Sequence, residues 1–128
     1  MNATKLLAEL VFDAEKFRDT DSHTVSTMSV GDGWWQGDCC IQYLGSEFRQ
    51  VGFGKFEKFE SLQLAEGTSE GSQHVAVCVD GKYRRINSHS LGGCILEVKQ
   101  PLLVTHPVHG DVMFMELGFY LIRFQQAM

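Results

Sequence analysis

His74-Val75-Ala76-Val77-Cys78-Val79-Asp80-Gly81-Lys82-Tyr83-Arg84-Arg85-Ile86-Asn87 is the stretch on which the reading of this chain turns. Val75, Val77 and Val79 alternate with Ala76 and Cys78, the period-two pattern of a strand. Asp80–Gly81 is the dipeptide of a tight hairpin turn, so Lys82–Asn87 reads as the return strand.

Downstream, Cys94–Lys99 reads as a strand with Leu96 and Val98 inward, and Pro101 marks a boundary or an edge. Leu102–Thr105 is a short strand. His106–Asp111 is a turn in which Pro107 forces His106 into an extended conformation and Gly110 relieves the corner. Val112–Met115 and Gly118–Phe124 are expected to close the chain as a hairpin through Glu116–Gly118. Upstream, Thr24–Val30 reads as a strand ended by Gly31-Asp32-Gly33. Cys39–Leu44 follows, with Cys39, Ile41 and Tyr43 on one face and Cys40, Gln42 and Leu44 on the other. Phe53, Phe56, Phe59, Leu62 and Leu64 mark a core-facing segment whose spacing fits a helical turn or an irregular strand. Ala65–Ser72 is a polar loop.

That makes about eight or nine short strands separated by turns. The expected fold class is mainly β, an antiparallel barrel or sandwich. One helix is expected at residues 2–18, where Leu6, Leu7, Leu10, Val11, Ala14 and Phe17 share a face. Phe12 projects away from that stripe toward a second element or a second subunit. With 128 residues and no repeat, the chain reads as a single domain over 1–128, the β region running from 23 to 125.

The formal net charge of −5 argues against capture of nucleic acid, which needs a basic face. Lys82, Arg84 and Arg85 are the densest basic group, and a solvated strand end accounts for them. No run of about 18 apolar residues is present, and Glu9 breaks the apolar Leu6-Leu7-Ala8. Neither a membrane span nor a signal peptide is therefore expected, and the location expected is cytoplasmic. Cys39, Cys40, Cys78 and Cys94 form no CxxC and sit in apolar runs, so they read as small buried hydrophobes in a reducing compartment.

His74, His106 and His109 are the residues that carry chemistry. If their strands are neighbours, three imidazoles meet, and with water they make a Zn²⁺, Fe²⁺ or Mn²⁺ site. Glu66, Glu70 or Asp111 is then the candidate carboxylate. A divalent metal is the one cofactor considered, and no pair has the HxH spacing that places two ligands on one strand face. The same histidines can serve as an acid–base pair, with Arg84 or Arg85 clamping an anion. The alternative is that each caps a turn. Trp34 and Trp35 form either an exposed platform for a ligand or interface, or one core ring and one edge ring. Ser88-His89-Ser90 is discounted, because sequence neighbours rarely form a catalytic pair. No Walker-type loop and no GxSxG are present.

Gln36-Gly37-Asp38, Leu64-Ala65-Glu66-Gly67, His74, Thr105-His106-Pro107-Val108-His109-Gly110-Asp111, Gly118-Phe119-Tyr120 and Gln125 occur in that order. The pattern resembles a group of small bacterial all-β proteins with a QGD…LAEG…H…HxxHGD…GxY…Q signature. The resemblance covers residues 36–125 and brings no established activity. It implies a β fold and the choice of His74, His106 and His109, and it associates the chain with mobile bacterial DNA. Members of the group carry a further histidine where this chain has Ser72.

Two functions are expected in turn. The first is a binding or assembly module, a homodimer using Phe12, Trp34 and Trp35 as its surface. The second is a metal-dependent or His-based enzyme on a cupin-like barrel. A third, binding of single-stranded nucleic acid through aromatics, is opposed by the negative charge. The small-molecule or protein partner is not legible.

Overall fold

A computed structural model describes residues 17–19, 24–48, 54–64, 74–85 and 93–124. The strands are β1 (Arg18–Asp19), β2 (Thr24–Val25), β3 (Gly33–Gln36), β4 (Cys39–Gly45), β5 (Glu57–Gln63), β6 (Val75–Arg85), β7 (Cys94–Val98), β8 (Leu102–His106), β9 (Gly110–Phe114) and β10 (Gly118–Phe124). They form one curled sheet, a half-barrel, in the order β1-β3-β4-β10-β7-β6-β8-β9-β2, with β5 added on β6. All pairings are antiparallel except the two-residue edges β1 on β3 and β2 on β9, which are parallel.

The expected hairpin at Asp80–Gly81 is absent, because β6 runs through it as one strand of 11 residues. Its two halves have different neighbours. Val75–Val77 pairs with β8 and Gly81–Arg85 with β7. The buried face switches at the same place, from Ala76 and Cys78 to Gly81. On β5 it switches from Phe59 to Leu62. Phe59 pairs Gly81 and Ser61 pairs Val77, so Cys78, Val79 and Asp80 stand opposite Glu60 alone. This bulge turns the sheet from one wing into the other. Gly81 does not hold a positive φ; it gives room. A Cβ there would lie 2.6 Å from the Phe59 ring, which in turn packs edge-on to Tyr83. Gly81→Ala is expected to cost about 1 kcal/mol through this overpacking. Urea unfolding checks it, and an unchanged midpoint contradicts the packing.

Other expectations are corrected. Residues 1–16, including Phe12, lie outside the described residues, but Arg18 is in a strand, so no helix reaches it. The strand at Thr24–Val30 is only Thr24–Val25. In the expected turn at His106–Asp111, only residues 107–109 leave the strands. β9 and β10 are not a hairpin: β9 lies between β8 and β2, and β10 between β7 and β4. Residues 115–117 cross between the wings instead. Tyr43 and Tyr120 pin that crossing, their hydroxyls donating to Leu117 O (2.7 Å) and Glu116 O (2.6 Å).

The main core fills the concave side, with Trp34, Ile41, Leu96, Val104, Phe114, Tyr120 and Ile122 all buried. Trp34 on β3 meets Phe114 on β9 edge-on at 5.8 Å, which links the two wings across the core. On the convex side Leu44, Ile95, Phe119 and Leu121 are buried beneath Phe48 and Phe56. β4 is therefore buried on both faces. All four cysteines are free and buried. Burial pushes the Cys40 and Cys94 thiols up to about 12 and Cys39 well above its ordinary value. Among the described residues no helix is long and apolar enough to cross a membrane.

Candidate functional site

The end of β3 and the ends of β8 and β9 meet where the sheet curls toward itself. Gln36 closes the β3 strand with its side chain wholly buried. Its Nε2 donates to Val104 O (3.1 Å) on β8 and to Gly110 O (2.8 Å) on β9. Two carbonyls fix the amide, so Oε1 must face the other way. It accepts there from His74 Nδ1 at 2.9 Å. The second nitrogen, Nε2, meets Asp38 Oδ1 at 3.1 Å. With Nδ1–H donating to Gln36, neutral His74 has a bare Nε2, and the contact with Oδ1 becomes a hydrogen bond only when a proton lies between the two atoms.

Asp38 is half-exposed, in the turn between β3 and β4. His74 is buried, immediately before β6. His106 ends β8, and its Nδ1 accepts from the backbone N–H of Val108 (3.0 Å) and of His109 (3.2 Å). The imidazole thus caps the turn that follows it, and its neutral form carries the hydrogen on Nε2. His109 sits on Gly37. A Cβ at 37 would overlap its ring, and Gly37 also holds a left-handed φ of 62°.

The three histidines converge. Ring centroids are 4.3 Å apart for His74 and His106, 4.6 Å for His106 and His109, and 6.2 Å for His74 and His109. Burial holds His74 below the ordinary histidine pKa; His106 and His109 push the same way, and Asp38 partly offsets them. Burial and the neighbouring His109 lower His106 as well.

Both nitrogens of His74 are engaged by Gln36 and Asp38, and His106 spends Nδ1 on the backbone. Among the described residues no group of three His, Cys, Asp or Glu side chains is placed to hold an ion. Asp38 supplies a carboxylate against His74; Glu66 and Glu70 lie outside the described residues.

The remaining candidates separate. Trp34 is 7% exposed in the core and so is not part of a ligand or interface surface, while Trp35 is half-buried. Arg84 and Arg85 are neighbours on β6, so they point to opposite faces of the strand. Arg85 instead donates to Leu64 O (2.7 Å) and Gln63 O (2.6 Å) and lies over Tyr83. Gln36 and Asp38 carried no assigned role in the sequence reading. Their only signal was the Gln-Gly-Asp of the signature.

No protein-family model, no curated protein and no solved structure matches this chain.

Proposed function

We propose that this chain is a non-enzymatic assembly module that works as a homo-oligomer, through the open edge of β5 and the apolar strip beside it. One observation carries the reading. Among the described residues β5 pairs with β6 along one side and with no strand along the other. Next to it, on the convex face, Val77 is 38% and Val79 81% exposed. An uncapped edge flanked by exposed valines is a template for pairing with another chain.

The polar cluster supports the same reading by its own occupation. His74 commits Nδ1–H to Gln36 Oε1 and turns Nε2 to Asp38, so neither ring nitrogen is turned to a bound molecule. The buried thiols of Cys39, Cys40 and Cys94 are held away from thiolate. The cluster therefore ties the two wings of the sheet together and leaves the outer edge to do the binding.

Light scattering on size-fractionated protein is expected to give twice the chain mass at micromolar concentration. A monomer mass throughout that range contradicts the proposal.

A further inference from the structure

We infer that two copies pair antiparallel through β5 about a two-fold axis at Phe59, so that Lys58 faces Glu60 of the partner subunit and Glu60 faces the partner subunit's Lys58. This inference rests on the assembly reading and names its partner, a second copy of the chain.

Lys58 and Glu60 flank Phe59. Phe59 is buried, whereas Lys58 and Glu60 are exposed and lie together on the opposite face of the strand. Within one copy they are badly served. Lys58 stands directly across from Lys82. Glu60 shares a groove of about 480 Å³ with Asp80, beside Val79. Like charges across a strand pair repel. Neither Lys58 nor Glu60 has an ion pair among the described residues. A two-fold axis at Phe59 corrects both positions at once. It is an isologous contact, in which one strand supplies both halves of each pair. A two-fold axis pairs only residues that share a face, and any other register of that kind brings Lys58 or Glu60 against a neutral or like-charged residue. Opposite charge on one strand therefore selects both the antiparallel direction and the register.

The test is sedimentation equilibrium on the full chain as wild type, K58E, E60K and the double variant K58E/E60K. Both sites are exposed, and circular dichroism checks that each variant is folded. Each single variant turns two attractive pairs into two repulsive ones. The dimer dissociation constant is expected to rise at least about tenfold. The double variant restores opposite charges and is expected to return to within about threefold of wild type. K58E carries acids at both positions and E60K bases at both, so an equimolar mixture is expected to form a heterodimer tighter than either parent. If wild type is dimeric and the single variants match it, the β5 register is wrong while the assembly reading stands. If wild type is monomeric at every concentration, both fall, and β5 is left as an edge for an extended segment of another protein.

Discussion

Replacing Gln36 with leucine is expected to lower the free energy of unfolding by about 3–5 kcal/mol. Leucine is close to glutamine in volume, so no large cavity opens, and the loss is one of hydrogen bonds. Val104 O, Gly110 O and the His74 Nδ1–H each lose their partner in a place where Gln36 is 0% exposed. A buried polar group left without a partner costs about 1–3 kcal/mol. The two carbonyls lie on β8 and β9, so the wings of the half-barrel also lose the side chain that ties β3 to both. Asp38→Asn provides the contrast. An asparagine amide can donate to His74 Nε2, leaving the ring neutral with both nitrogens bonded. It is expected to cost less than about 1 kcal/mol, whereas Asp38→Ala, which offers no partner, costs more. Urea unfolding at neutral pH checks all three, and a Gln36→Leu loss below about 1 kcal/mol contradicts the seam described here.

Acid is expected to destabilise the fold, beginning below about pH 6.5, the ordinary histidine value. The sign follows from the direction of the shifts. His74 and His106 are held below their ordinary values, chiefly by burial, so the unfolded chain binds their protons more readily than the folded one. Their contribution is complete above the unfolded value and is lost as the pH falls through the folded values. For His106 the structural event is specific. The added proton must go to Nδ1, where two backbone N–H groups already point. Both bonds are lost, and the turn at 107–109 gives way beside the Gly110 carbonyl that Gln36 holds. The loss expected is about 1–3 kcal/mol. His74, His109 and Asp38 are the titratable groups that face His106; His109 opposes its protonation and the Asp38 carboxylate favours it. His106→Asn keeps an acceptor for the same two N–H groups and does not titrate. It is expected to flatten the dependence between pH 7.5 and 5, while His106→Ala weakens the fold at both. Urea midpoints at the two pH values check this, and a wild type equally stable at both contradicts it.

The strands were legible because alternation reports burial directly, and β4, β7 and the first half of β6 lie within a residue of where the pattern puts them. Two local signals misled. Asp80–Gly81 has hairpin chemistry, yet its glycine serves the Phe59 ring on a neighbouring strand, and nothing local distinguishes room from turning. Residues 115–117 have the length of a hairpin loop, but the hydroxyls of Tyr43 and Tyr120, held by the core, and the Met115 N–H on Val25 O hold them across. The residue types of His74, His106 and His109 were legible, but their meeting was conditional on neighbouring strands, a condition that the pairing of Val75 with Thr105 supplies. The roles of Gln36 and Asp38 were not. Gln36 reaches carbonyls 68 and 74 residues away, and those distances close only once the sheet has curled.

The most direct test of the central claim is hydrogen exchange at the backbone amides of Glu57–Ser61, compared between dilute and concentrated protein at one pH. If β5 is the edge on which copies assemble, amides on its free side slow as concentration rises, while the paired amides of β7 and β10 stay unchanged. Exchange over Glu57–Ser61 that is fast and independent of concentration would contradict assembly through β5.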